Sequence, residues 1–242
     1  MSRRPSWFDS SFDWNMNKVI GWLYAKPEHP SYPHREHITY YLWDIDERLR
    51  AARYHIYHMK KVYQEYSELH PRNNIARVNR RYMFDFEVES YFFTLKTCLD
   101  LMALEFRLLY DNFQERITEK RCTYASIIYH LNEIKREGTI DSFGAYMLEQ
   151  NEDWLQKLSD IRNFIIHHGT LEWDVSMEYD AERGEIIDEK HMLYYPPKKI
   201  LFMGLDEEYE LIEVIPYCEE VYTKMERYLA RIHNAICENI LQ

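Results

Sequence analysis

The sequence predicts a mainly α protein: a helical bundle with a small antiparallel β-sheet insertion before the C-terminal helix. Apolar residues recur at three- and four-residue spacing through two very long stretches, roughly 34–70 and 79–119, and after Gly169 the period changes to two. Composition agrees. Glycine is scarce, 6 in 242 residues, while tyrosine, phenylalanine and tryptophan number 21, 11 and 6, which suits long helices packed by aromatic side chains rather than disorder.

A short helix is expected over 6–24, anchored by Trp7, Phe8, Trp14 and Trp22 and interrupted by Pro27, Pro30 and Pro33. From 34 to 70, Ile38, Tyr41, Leu42, Ile45, Leu49, Ala52, Ile56, Met59, Val62 and Tyr66 keep one helical stripe, which ends at Pro71. The second long helix, 79–119, carries Phe86, Phe93, Leu95, Leu99, Met102, Phe106 and Leu109 among acidic residues. A shorter helix spans 123–136 and is broken by Gly138; another begins near 152. Leu171, Trp173, Val175, Met177 and Tyr179 then alternate with acidic or polar residues, the pattern of a half-buried strand. Ala181-Glu182-Arg183-Gly184 should turn the chain into a second strand over 185–195, and 200–203 and 209–214 are further strand segments. Pro216 suits the first turn of a last helix reaching nearly to Gln242. As domains, residues 1–78 read as an N-terminal helical extension packed on a bundle of 79–242, with 170–215 as the β insertion.

No segment resembles a signal peptide and no apolar run approaches the roughly 18 to 20 residues that span a bilayer, so a soluble, cytoplasmic protein with no membrane partner is expected. Cys98, Cys122, Cys218 and Cys237 lie far apart with no Cys-x-x-Cys, which indicates neither a disulfide frame nor a zinc site. The histidine pairs His34/His37 and His55/His58 have the spacing of metal ligands, but no acidic residue completes a set and they read as surface or packing residues. No phosphate-binding glycine loop, dinucleotide fingerprint or nucleophile elbow occurs.

The net charge of −11 is unevenly spread. Residues 48–81 hold nine Lys or Arg against Glu65 and Glu68, with Arg77, Arg80 and Arg81 as the candidate RNA-binding residues. Tyr54, Tyr57, Tyr63 and Tyr66 are interleaved, so the segment suits either a phosphate backbone with stacked bases or a solvated helix face with aromatic core positions. Residues 172–220 hold fifteen Asp or Glu against four Lys or Arg, fit to repel RNA or to bind a basic protein.

The most informative stretch is Arg162-Asn163-Phe164-Ile165-Ile166-His167. At about 100° per residue, Leu158 and Ile166 flank Arg162 by about 40° on either side, so the guanidinium points into an apolar stripe. There it requires an anion, because arginine does not shed its proton and an uncompensated buried charge is costly. Asp100, then Glu89, with Glu105 behind them, are the carboxylates expected to meet it; a phosphate from outside is the alternative. Asn163 and His167, at i and i+4, share a face beside the arginine. Gly169 suits the helix cap, which puts His167 and His168 in the last turn, where exposed carbonyls favour an imidazolium.

With Arg-Asn-x-x-x-His near the end of a late helix, the chain resembles the HEPN superfamily, over about residues 80–170 plus the last helix. The resemblance implies a HEPN-like helical bundle acting as a homodimer: an endoribonuclease of toxin or antiviral-defence type that needs neither metal nor cofactor. In it Arg162 would stabilise the phosphate, His167 would move protons for attack by the ribose 2′-hydroxyl, and Asn163 would orient them. It also implies partners such as a separate antitoxin or a nucleotidyltransferase-type protein. Two other readings stand beside the enzyme: a non-catalytic HEPN-like module binding RNA, a nucleotide or a protein, and a structural bundle in which Arg162 pairs with an internal carboxylate.

Overall fold

The computed structural model describes residues 12–69, 74–109, 117–168, 173–180, 185–195 and 210–240. The fold class is as expected: helices throughout, with a small antiparallel sheet placed before the last helix. In order these are α1 (Phe12–Ala25), α2 (Arg35–Ser67), α3 (Asn74–Leu109), α4 (Tyr124–Arg136), α5 (Ser142–Gln150), α6 (Gln156–His168), β1 (Trp173–Asp180), β2 (Glu185–Tyr195), β3 (Glu210–Glu213) and α7 (Val214–Ile240). Among the described residues, no helix is long and apolar enough to cross a membrane.

Most of the stripe read on α2 is buried: Ile38, Leu42, Ile45, Leu49, Ala52, Ile56, Met59 and Val62 are in the core, while Tyr41 and Tyr66 at its margin are half-buried. On α3 the expectation needs three corrections. The helix starts at Asn74 rather than 79, it does not run to 119, since residues 117 and 118 lie outside any helix, and Phe86 and Phe93 are 64% and 36% exposed while Phe84, Val88, Tyr91 and Phe92 are buried. So many aromatic residues crowd this helix that spacing alone does not single out its inner face. Between α4 and the motif helix lies an element the sequence did not announce, α5, which runs through a single π turn (Asn151–Leu155) into α6. The π turn accommodates one extra residue and places Trp154 and Leu155 inside, with Glu152 and Asp153 outside.

Local chemistry sets the ends. Thr123 caps α4: its hydroxyl accepts from the Ser126 amide, and Ser126 Oγ accepts from the Thr123 amide. Gly138 closes the helix with φ +74°, the left-handed conformation that lets its amide reach Lys135 O and the Thr139 amide reach Ile134 O. A Cβ at Gly138 would meet nothing within 4 Å, so Gly138→Ala tests the backbone alone. It should cost about 1 kcal/mol and lower the Tm by about 2–4 °C; a variant melting at or above the wild-type temperature would contradict this. Pro216 stands in the first turn of α7, where its missing amide hydrogen costs nothing.

In the sheet, β2 is the central strand. Trp173 pairs with Leu193 and Asp180 with Glu185, with an irregularity between Glu178 and Tyr179; Met192 pairs with Glu213 and Tyr195 with Glu210. The expected segment 200–203, the turn 181–184, Gly169, Trp7 and Phe8 lie outside the described residues.

The chain divides into two compact units, and each draws on residues from both sides of position 78. Unit 1 takes the described parts of Met1–Ala51, Thr94–Gln156 and Tyr222–Gln242; unit 2 takes Ala52–Phe93 and Lys157–Val221. In unit 1, the hydroxyls of Tyr124 and Tyr228 meet at 3.1 Å, and Trp154 packs edge-on against Tyr228. Beside them a fully buried pair joins α3 to α7: His233 Nε2 lies 2.9 Å from Glu105 Oε2, and His233 Nδ1 donates to Leu229 O at 2.7 Å. Burial alone would lower the His233 pKa, but the facing Glu105 carboxylate and the Leu229 carbonyl outweigh it and hold the ring above its ordinary value. In unit 2, Tyr91 donates its hydroxyl to Cys218 O at 2.6 Å. All four cysteines are buried and outside any disulfide, and burial pushes Cys122 up to about 11.

Candidate functional site

The motif helix α6 is seated in unit 2 by Leu158, Ile161 and Ile165, all buried. One turn before the motif it is tied to the sheet. Lys157 Nζ donates to Glu210 Oε2 at 2.8 Å and sits 4.4 Å over the Tyr195 ring, while the Tyr195 hydroxyl donates to Asp160 Oδ2 at 3.2 Å. Burial and the adjoining Asp160 carboxylate push Tyr195 up to about 12, so its hydroxyl stays a donor at neutral pH. Sequence reasoning missed this anchor because its members come from three elements.

Arg162 is half-buried, and Asn163 and His167 are exposed. The guanidinium donates through Nη1 to Asn163 Oδ1 at 3.2 Å, its carbon lies 5.8 Å from the centre of the Phe93 ring, and its Nε is buried with no hydrogen-bond partner among the described residues. The wheel placement holds for Leu158, which is buried, but not for Ile166, which it set in the apolar stripe and which is 43% exposed; the stripe is instead completed by Ile161 and Ile165.

Two of the three carboxylates expected to pair with it are engaged elsewhere. Asp100 accepts from Lys96 Nζ at 2.5 Å and from the Tyr124 amide at 3.0 Å, serving the start of α4. Glu105 belongs to His233. Glu89 is half-buried on α3, and among the described residues no carboxylate forms an ion pair with Arg162. The reason is register: which carboxylate on α3 meets which partner depends on how the helices align, and spacing within one helix carries no such information. His168 ends α6.

The basic run is split in its duties. Arg77 stacks on the Tyr66 ring at 4.2 Å, Arg80 Nε pairs with Glu65 Oε2 at 3.0 Å, and Arg81 is exposed. Tyr54 and Tyr57 are exposed, whereas Tyr63 and Tyr66 turn their edges to His191, which also meets Phe84 at 4.6 Å between ring centres. His191, 3% exposed on β2, is a buried histidine that the sequence reading passed over. Burial, then the charges of Arg81 and Arg77, pull its pKa down to about 4. A proton therefore binds the unfolded chain more tightly than the folded one. The stability tied to this ring is complete above pH 6.5 and is lost as the pH falls from there toward 4. Urea midpoints measured across that window should fall more steeply for the wild type than for His191→Phe; parallel curves would refute the assignment.

A further contact was out of reach of the sequence. Glu87 on α3 holds two α2 histidines, with Oε2 2.7 Å from His55 Nδ1 and Oε1 3.5 Å from His58 Nδ1. Among the described residues, no group of three or more His, Cys, Asp or Glu is placed to hold a metal ion. Compared with known proteins, the chain matches no family model, no curated protein and no solved structure.

Proposed function

We propose that the chain is a HEPN-like metal-independent endoribonuclease of toxin or defence type, working as a homodimer. The observation that carries the reading is the state of Arg162: a guanidinium resting on Phe93 without a carboxylate partner among the described residues, on the same helix end as the exposed Asn163 and His167. A structural role would call for an internal acid on the arginine and a sealed histidine. A phosphate supplied by a substrate is an anion that suits a guanidinium in this position.

In this reading the ribose 2′-hydroxyl attacks the adjacent phosphorus and the 5′-oxygen leaves, giving a 2′,3′-cyclic phosphate and a 5′-hydroxyl. His167 takes and returns the proton, Arg162 neutralises charge on the non-bridging oxygens, and Asn163 holds the guanidinium in place. The test is incubation of RNA and of a DNA of the same sequence with the protein in EDTA. RNA should be cut to cyclic-phosphate ends and DNA should survive. RNA bound but left intact would favour the non-catalytic module.

Pairing of two copies is supported by α3. Ile75, Tyr82, Phe86 and Phe93 are 79%, 68%, 64% and 36% exposed, and their spacing of seven, four and seven residues puts them within about 20° of one line along the helix. This stripe runs to the ring beneath Arg162, and Ile166 of the motif helix is exposed as well. An apolar line of this length is usual at an interface and unusual on a free surface. Phe86→Asp should yield a monomer by light scattering at micromolar concentration, with cleavage lost and the fold retained; a wild type that is itself monomeric would remove the dimer from the reading.

A further inference from the structure

Unit 1 contains a groove of about 590 Å³ lined by Ser142, Phe143 and Tyr146 of α5 and by Arg227, Arg231 and Asn234 of α7, with Ala230 and Ala235 leaving the floor open. The volume is that of a small-ligand site. Its charge is unusual in a chain of net charge −11. Arg227 and Arg231 are at i and i+4, where like charges repel, and among the described residues neither has a carboxylate partner. The nearest acid in sequence, Glu226, is taken by the Tyr222 hydroxyl at 3.0 Å, and Asp141, beside Ser142, is held by the Gly144 amide at 2.6 Å. Arg231 sits over Tyr146, its guanidinium carbon 3.9 Å from the ring centre, and also hydrogen-bonds that side chain. A guanidinium carries five N–H donors, so one held on a single tyrosine keeps donors to spare for an oxyanion. Asn234, one turn beyond Arg231, and the Ser142 hydroxyl add neutral donors, and Phe143 gives an apolar wall for a carbon skeleton.

We infer that this groove binds a small phosphomonoester, its phosphate held by Arg227 and Arg231 and its organic part lying between Phe143 and Asn234. A dianion matches two guanidiniums in charge. The volume left beyond one phosphate is what separates a phosphomonoester from inorganic phosphate as the ligand. This site is independent of the Arg162 motif.

Titration calorimetry with ribose 5-phosphate, ribose and inorganic phosphate tests it. Ribose 5-phosphate should bind with a Kd below about 1 mM, inorganic phosphate more weakly and ribose not at all. Arg227→Gln and Arg231→Gln should each weaken ribose 5-phosphate roughly ten- to a hundredfold. Both sites are exposed, so the variants should fold; Asn234→Asp, which adds a repelling carboxylate, should weaken it as well. Arg162→Ala should bind as the wild type does. No heat up to about 5 mM would overturn the inference. So would equal binding of ribose or of inorganic phosphate, undiminished binding by the two arginine variants, or loss of binding in Arg162→Ala.

Discussion

Arg162→Ala and His167→Ala should each lower RNA cleavage by about a hundredfold or more, the scale on which enzymes lose activity when a charge-stabilising or proton-transferring group is removed. Asn163→Ala should fall between these and the wild type, because it loses only the 3.2 Å bond that steadies the guanidinium. Neither large loss should come from unfolding. Among the described residues Arg162 has no ion pair to break and its Nε has no hydrogen bond, while His167 is exposed. Melting temperatures should therefore stay close to the wild-type value for both. Initial rates on a labelled RNA, read beside thermal melts, check the two halves together. Cleavage retained in both variants would remove the catalytic reading, and a large drop in melting temperature for Arg162→Ala would return the arginine to a structural role.

The second large effect concerns the buried pair of unit 1. Glu105→Leu or His233→Leu alone should destabilise the protein by about 3–5 kcal/mol, since each leaves a fully buried charge or donor facing an apolar side chain. The double variant should recover most of that loss, because two leucines ask for no partner. Glu105 has one oxygen on His233 and the other, Oε1, buried without a hydrogen-bond partner among the described residues, so the wild-type pair is incompletely satisfied by them. The His233 pKa is raised, so its contribution is whole below pH 6.5 and fades as pH rises through the raised value. The gap between wild type and His233→Leu should accordingly narrow in alkaline buffer. Urea unfolding of the four proteins measures this, and additive single losses in the double variant would show that the two groups do not depend on each other.

What could be read from the sequence was what repeats within one element. The α2 stripe from Ile38 to Val62 was legible because every member stands three or four residues from the last, and the β1–β2 hairpin because its alternation is strict on the first strand. That Asn163 and His167 share a face beside Arg162 was legible from the same helical geometry; that this face is open to solvent was not. The rest required knowing which element faces which. Glu105 meets His233 across 128 positions and Tyr195 meets Asp160 across 35, and no local pattern selects these partners from the many acids and tyrosines available. Asp100 was a reasonable partner for Arg162 by type. It was lost to Lys96 one turn away and to the Tyr124 amide. The π turn before α6 was invisible for a different reason: it is an extra residue inside a run whose composition is ordinary for a helix.

The way unit 1 is assembled bears on the order in which the protein is made. Its inner helices start with α2 near the beginning of the chain, yet His233, the counterpart of Glu105, and Tyr228, the counterpart of Tyr124, come after residue 220. On a ribosome adding about 5–20 residues each second, α3 and α4 wait several seconds or more with an acidic side chain and a tyrosine hydroxyl aimed at a helix that does not yet exist. Polypeptides released before α7 are left with that vacancy and should be recognised as unfinished by the cell's proteases. Any copy that lacks α7 leaves Glu105 and Tyr124 without His233 and Tyr228, so the core of unit 1 closes only once that helix is present.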